Sequence, residues 1–288
     1  MHLAKRTRST LLFLALLLLL VNIVLLAYLS WPSTKVLRVS FLDVGQGDSI
    51  FIEGPTGIQM LIDGGRDHSV LRELPKHMSF FDRSIDVVVA THPDADHIGG
   101  LPEVFERYTV HTYLSSGVEN TTMPTAVLAH AVSVEPSLTS ILARRGMRID
   151  LGRGAYGEIL YPDRDVEGVE TNTASIVMRV VYGESEFMLT GDAPSEIESW
   201  IISSHERDKL LSDVLKAGHH GSRHSTSEVW LSAVSPEYVV ISAGKDNSYG
   251  HPHEEVLSRV AAIGATLLST IDSGTISFES DGRRIQQK

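Results

Sequence analysis

Thr91-His92-Pro93-Asp94-Ala95-Asp96-His97-Ile98-Gly99-Gly100 sets two imidazoles and two carboxylates within six positions. The apolar run Val87-Val88-Val89-Ala90 stands immediately before it, so a buried strand delivers these polar groups to a point where the chain must turn. Pro93 and the Gly99-Gly100 pair suit that change of direction. Imidazole nitrogen and carboxylate oxygen are good ligands for zinc or manganese, around one ion or a pair. A polar loop without an ion is the plainer alternative, but crowding Asp94 against Asp96 with no cation between them is costly.

Three polar clusters follow strand-like runs further on. Leu189-Thr190-Gly191-Asp192 puts a carboxylate at a strand end, Lys216-Ala217-Gly218-His219-His220-Gly221-Ser222 carries a histidine pair, and Tyr249-Gly250-His251-Pro252-His253 holds two more imidazoles. Upstream, Asp43-Val44-Gly45-Gln46-Gly47-Asp48-Ser49 and Asp63-Gly64-Gly65 flank short strand candidates. Asp43, Gln46 and Asp48 read as turn and capping residues, or as groups that orient ligand histidines or touch substrate. Adjacent side chains in extended structure point apart, so His219 and His220 need not share an ion. His219 is the expected ligand, leaving His220 to handle a proton or a phosphate oxygen. His251 is a closing ligand, a substrate contact or a helix cap, and His253 is a cap.

His92-x-Asp94-x-Asp96-His97 resembles the His-x-His-x-Asp-His signature of the metallo-beta-lactamase fold, with Asp94 where the second His usually stands. Together with the upstream and downstream strings, it resembles the carboxy-terminal extracytoplasmic domain of the ComEC family of competence DNA-uptake proteins, over about residues 36–285. The resemblance implies an α/β, four-layered αββα sandwich around two divalent ions, Mn²⁺ or Zn²⁺. Asp192 would bridge the ions, with His92, Asp94, Asp96, His97 and His219 as further ligands. Where the superfamily usually supplies another His, this chain reads Glu170-Thr171-Asn172-Thr173-Ala174-Ser175, similar to the Asn-x-x-Ser of the competence-type variant. Both departures make the site oxygen-rich, which suits Mn²⁺, although the affinity order of divalent ions leaves zinc open.

The same resemblance implies a hydrolase that cleaves a phosphodiester, with DNA as substrate, one of its strands during uptake. Asp96 would be a ligand and orient the attacking water as a base, and His220 or His251 would serve the leaving group. Ser222, Asn172 and His251 would lie near the substrate. Two rivals remain: a membrane-anchored phosphoesterase acting on an envelope or nucleotide substrate, and an inactive metal-binding adaptor.

Residues 11–29 are apolar except for Asn22 and Tyr28. As a helix at about 1.5 Å per residue, this run approaches a bilayer core of about 30 Å. It is longer than the apolar core of a cleaved signal, about 7–15 residues. Lys5, Arg6 and Arg8 precede it, and the positive-inside rule keeps them cytoplasmic. The expectation is residues 1–35 as tail, single transmembrane helix and connector, with 36–288 as an extracytoplasmic hydrolase domain. One helix makes no pore, so the domain would work beside a separately encoded DNA channel or as a freestanding surface hydrolase.

Cysteine is absent, which excludes disulfides and thiolate ligands and leaves nitrogen and oxygen for any metal. The net charge of −11, with no basic block after the anchor, argues against tight nonspecific nucleic-acid binding by the domain alone. Strands are expected at 36–42, 50–52, 60–62, 85–90, 111–114, 148–151, 158–161, 175–181, 186–189, 238–242, 265–269 and 275–278, and another just before Lys216. Helices are expected at 100–108, 123–134, 136–145, 194–204, 225–234 and 253–263, with Ser225-Thr226-Ser227-Glu228 as a capping box. Strands followed by helices, twice over, predict two packed sheets with helices outside.

Overall fold

The computed structural model describes residues 2–29 and 36–288, with side chains from 11 to 26 in the first stretch. The chain divides into two units, Met1–Lys35 and Val36–Lys288. The first contains the helix His2–Leu29, and its side chains from 11 to 26 are all exposed. Among the described residues no helix is long and apolar enough to cross a membrane. The single transmembrane span expected from the sequence is therefore not shown. The Trp31-Pro32-Ser33 connector and the side chains of Lys5, Arg6 and Arg8 lie outside the described residues.

The second unit is a sandwich of two sheets. Eight strands form the first, in the spatial order Ile285–Gln287, Ile276–Ser280, Leu37–Phe41, Ile50–Glu53, Gln59–Ile62, Ser84–Ala90, Thr109–Ser115 and Thr139–Leu142. Seven form the second: Thr266–Ser269, Tyr238–Ile241, Val214–Lys216, Ser185–Leu189, Val177–Tyr182, Ala155–Tyr161 and Arg148–Gly152. Alternation along each strand decides which layer a side chain joins. Ile50, Ile52, Met60, Ile62, Val87 and Val89 enter the core between the sheets, where Phe278 meets Phe41 and Phe187 edge-on. Phe51, Leu61, Val88 and Ala90 point the other way, under the helices Leu101–Arg107 and Met123–Val134. On the second sheet Met188, Leu215, Val239 and Ile241 pack with residues of Ser195–Ser204, Glu228–Val234 and Glu254–Ala262. The αββα order follows from strands that are apolar on both faces.

Two local expectations need correction. Residues 136–145 are not helical; Thr139–Leu142 is an edge strand, parallel to Thr109–Ser115. Its β-branched Thr139 and Ile141 favour extended backbone, and only four residues separate it from the preceding helix. Ser225 does not cap the next helix. Ser227 does, accepting from the Trp230 amide, and the helix begins at Glu228.

A candidate metal centre at the strand ends

The polar strings that lie far apart in sequence converge at one end of the sandwich. Gln59–Ile62 and Ser84–Ala90 run parallel, so Asp63 and Thr91 emerge side by side. Ser185–Leu189, Val214–Lys216 and Tyr238–Ile241 are also parallel neighbours, and they release Asp192, the histidine pair and Ser242 together. Loop contacts close the arrangement: the Asp48 amide donates to the Asp96 carbonyl, and the His219 amide to the Gly191 carbonyl. Gly47 sits at φ +126° with the Asp96 carbonyl where a Cβ would stand, so only glycine allows this approach. Asp63, His219 and His220 hold left-handed φ of 58°, 49° and 53°, a cost that recurs where structure serves function.

Asp192 Oδ2 is the hub. It lies 3.9 Å from His92 Nε2, 3.2 Å from His97 Nε2, 3.6 Å from His219 Nε2 and 3.4 Å from His220 Nε2. Asp96 faces His220 Nε2 at 3.5 Å, and Asp94 faces His92 Nε2 at 3.7 Å. His92, His97 and His219 thus face Asp192, with Asp94 beside His92 and Asp96 beside His220. The bend at 218–221 is left-handed rather than extended, which brings both histidines to the same carboxylate. His220 is buried, whereas the His219 side chain is 29% exposed at the rim.

The far nitrogens of the histidines reveal their protonation. His220 Nδ1 stands 2.9 Å from the Ser242 carbonyl, which can only accept, so Nδ1 carries a proton and Nε2 is the nitrogen that offers a lone pair when the ring is neutral. His97 Nδ1 donates to Asp63 Oδ2 at 2.8 Å, with the same consequence. The Thr91 hydroxyl donates to Asp63 at 2.7 Å and so accepts from His92 Nδ1 at 3.0 Å. Three inward Nε2 atoms, whose lone pairs are free once the rings are neutral, each on a ring oriented by an acceptor behind it, form the pattern of metal-ligating histidine.

Those lone pairs need a cation. His97 Nε2 and His220 Nε2 are only 3.2 Å apart. His92 Nε2 and Asp192 Oδ1 are buried with no hydrogen-bond partner. Burial would lower His97 and His220, but the Asp192 and Asp63 carboxylates raise His97 well above the usual value, and Asp192 and Asp48 raise His220 to about 9. Burial prevails at His92, with His97 adding to it, and lowers it to about 3. Asp96 stays below the usual carboxylate range: burial opposes this, but the His220 hydrogen bond and the His97 and His220 charges prevail. The pocket thus draws positive charge, protons or metal ions, and the donor set of nitrogen and oxygen fits divalent ions.

Asp48, His97, Asp192 and His220 have ligand-type atoms all within 4.8 Å of one another. Asp48 is already paired with the fully buried Lys216 ammonium, so its charge is spoken for; the other three remain free to ligate. Lys216 Nζ also donates to the Gly191 carbonyl at 3.3 Å and lies 3.8 Å from Asp192 Oδ1. The sequence motifs do not single out Lys216 or the support roles of Asp63 and Thr91, and they leave Asp48 open between turn and support. The signals were present in Asp48-Ser49, Asp63-Gly64-Gly65 and a lysine ending an apolar strand.

Of the expected substrate residues, His251 and Asn172 lie beside the centre, and Ser222 is turned into its own loop. His251 has its ring 5.4 Å from that of His219, and its Nδ1 has no hydrogen-bond partner. Burial and the neighbouring histidines His219, His220 and His253 lower it to about 4. Asn172 has a buried, unpartnered Oδ1, in a turn whose Thr171 side chain bonds to Asp94. Ser222 is buried and its hydroxyl accepts from the His224 amide at 3.4 Å.

The family model described as "Metallo-beta-lactamase superfamily" matches residues 42–245. The chain is 28% identical over 264 residues to "ComE operon protein 3" of Bacillus subtilis (strain 168), covering 85% of this chain and 33% of the relative. It is 32% identical over 241 residues to "Competence protein ComA" of Neisseria gonorrhoeae, covering 83% and 32%. It therefore spans about a third of the length of these curated relatives. CmlA, a diiron beta-hydroxylase from Streptomyces venezuelae, superposes with a TM-score of 0.53 at 13% identity, over 89% of this chain and 55% of that one, a likeness of fold alone.

Proposed function

We propose that this chain, which belongs to the metallo-beta-lactamase superfamily, is a metal-dependent hydrolase that cleaves phosphodiesters, with DNA as its substrate. The observation that carries the reading is the Asp192 carboxylate ringed by four imidazole nitrogens at 3.2–3.9 Å. DNA as substrate draws on the similarity to competence proteins.

His92, Asp94 and Asp192 would hold one divalent ion, and Asp96, His97, Asp192 and His220 a second, manganese or zinc, with His219 beside them at the open rim. Bound divalent ions supply a more acidic water and neutralise charge on a phosphoryl group. In the hydrolysis one P–O bond forms to the water oxygen and one breaks to the leaving oxygen, which takes up a proton as the water loses one. Asp96, held ionised, is better suited to accept a hydrogen bond and orient the water than to keep its proton. The Nδ1 bond of His220 to Ser242 supports ligation in place of the proton transfer first expected of it. His251 and Asn172, with unpartnered polar atoms at the rim, would hydrogen-bond substrate oxygens, and Ser222 would fix the turn beside them.

Residues 11–29 would serve as a single-pass anchor, with the catalytic domain outside the cytoplasm and a separately encoded channel as partner. The exposed apolar side chains of 11–26 support this. Extraction of membranes at alkaline pH tests it: an anchored chain stays in the pellet, and release into the supernatant contradicts it.

The activity test uses the full chain in detergent, stripped and reloaded with Mn²⁺ or Zn²⁺, on linear single- and double-stranded DNA and on a small chromogenic phosphodiester. Metal-dependent nicking, absent in Asp192→Asn, is the expected result. Turnover of the small diester with no nicking would transfer the assignment to an envelope or nucleotide substrate. No turnover of any substrate by metal-loaded protein would leave a binding adaptor.

A further inference from the structure

Beside the metal centre lies a cavity of about 290 Å³. His92 and Pro93, from the loop that carries the centre, form one wall, and the strand Thr109–Ser115 and helix Met123–Val134 form the others. The two sides of His92 therefore differ in character. Its Nε2 faces Asp192 and Asp94 in a space crowded with carboxylates. The cavity has no lysine, arginine, aspartate or glutamate in its lining. Tyr113 and Leu128 supply flat and aliphatic surface, and the hydroxyls of Ser116 and Thr125 supply hydrogen-bonding groups. Thr125 Oγ1 reaches the Pro93 carbonyl at 3.4 Å, tying the helix to the loop.

The chemistry of this wall selects the part of a substrate it can take. An anionic phosphate finds no cation there and belongs on the other side of His92. An uncharged planar ring finds apolar contact, an aromatic neighbour and hydroxyls for its edge, the combination by which proteins hold single nucleobases. The volume is at the small end of ligand pockets, about 300–1,000 Å³, and suits one ring system rather than a length of polymer. Resting on the phosphodiester reading above, we infer that this cavity is the subsite for the nucleobase next to the scissile phosphate. Burying that ring would place the phosphate at the centre and favour a strand whose bases are unpaired. A base held in a duplex cannot enter.

The test has two arms, both on the full chain in detergent. Ala129 is exposed and Val132 half-buried at the cavity, so Ala129→Phe and Val132→Phe fill it from separate positions without touching the centre. With metal removed, ligand-observed NMR should show thymidine and adenosine binding to the wild-type protein and deoxyribose failing to bind. Nucleoside affinity should fall about tenfold or more in both variants, with circular dichroism unchanged. With metal restored, KM for a single-stranded oligonucleotide should rise about tenfold in the variants while kcat is kept, and an abasic strand should show no such change. No nucleoside binding to wild type overturns the inference, as does binding that neither filled variant weakens, or equal KM for base-bearing and abasic strands. If the protein turns over a small diester but no DNA, the DNA reading fails, and the metal-free nucleoside arm still decides the cavity.

Discussion

The floor of the centre and its rim are built on different principles. On the floor His97, His220 and Asp192 are fully buried, and each is fixed from behind: His97 by Asp63, His220 by the Ser242 carbonyl, the Asp192 amide by Ser175 Oγ. On the rim Asp94, Asp96 and His219 are partly exposed, with side-chain exposures of 33%, 20% and 29%. His251 and Asn172 there keep polar atoms without partners. The difference shows a division of labour in which the fold immobilises the groups that must meet a cation whatever the substrate. At the rim Asp94 and Asp96 would complete the ion sites, while His251 and Asn172 keep unsatisfied groups for what comes and goes.

Breaking the floor should cost most. Asp192→Asn keeps the shape but removes the charge all four imidazoles face, and turnover should fall by about 10³ or more with the metal content lost, as read by elemental analysis. A variant that keeps both metal and activity would end the distinction. Next comes Lys216. Lys216→Met removes the ammonium paired with the buried Asp48 carboxylate, leaving it only His220 at 3.3 Å and His97 at 3.9 Å, and should cost up to about 3–5 kcal/mol in denaturant unfolding of the metal-stripped protein. Adding Asp48→Asn should recover most of that loss.

Substitutions of the rim histidines should be milder and should fall on substrate handling. His219→Ala and His251→Ala should each raise KM or lower kcat by about 10–100-fold while metal content stays near that of the parent. His220→Ala should lose metal. Two adjacent histidines would thus separate by function, and equal metal loss from His219 and His220 would place both on the floor.

The smallest effect concerns the support of the histidine turn. Glu198, buried on the helix after Asp192, accepts from the Thr226 and Ser227 amides at 2.5 and 3.0 Å. Burial raises it above the ordinary glutamate value, with these hydrogen bonds opposing. Its contribution is therefore greatest below about pH 4.3 and declines as pH rises through the raised value. Glu198→Gln cannot ionise, so urea unfolding should show the stability of the variant relative to wild type improving from pH 4 to pH 7. A difference independent of pH would contradict this.

Much of this was legible along the chain because ligand strings close to strand ends keep their spacing whatever the surrounding fold. The strands ending at Ala90 and Leu189 were readable from their apolar runs, and the polar groups right after them are where parallel strands deliver side chains. Asp63 and Lys216 were harder, because their roles depend on the strands beside them. Asp63 reaches His97 through the register of two parallel strands, and the buried Lys216 meets Asp48 from the loop before a strand of the other sheet. The strand Thr139–Leu142 was missed for a related reason: its extended shape comes from pairing with Thr109–Ser115, which short-range periodicity does not carry.

Anomalous diffraction from crystals grown with manganese or zinc tests the account most directly. It predicts metal peaks in contact with Asp192 Oδ2, on the sides facing His92 and His220, at ligand distances of about 2.0–2.2 Å. A crystal in which metal decorates only the surface, and His97 and His220 keep their 3.2 Å approach with nothing between them, would contradict it.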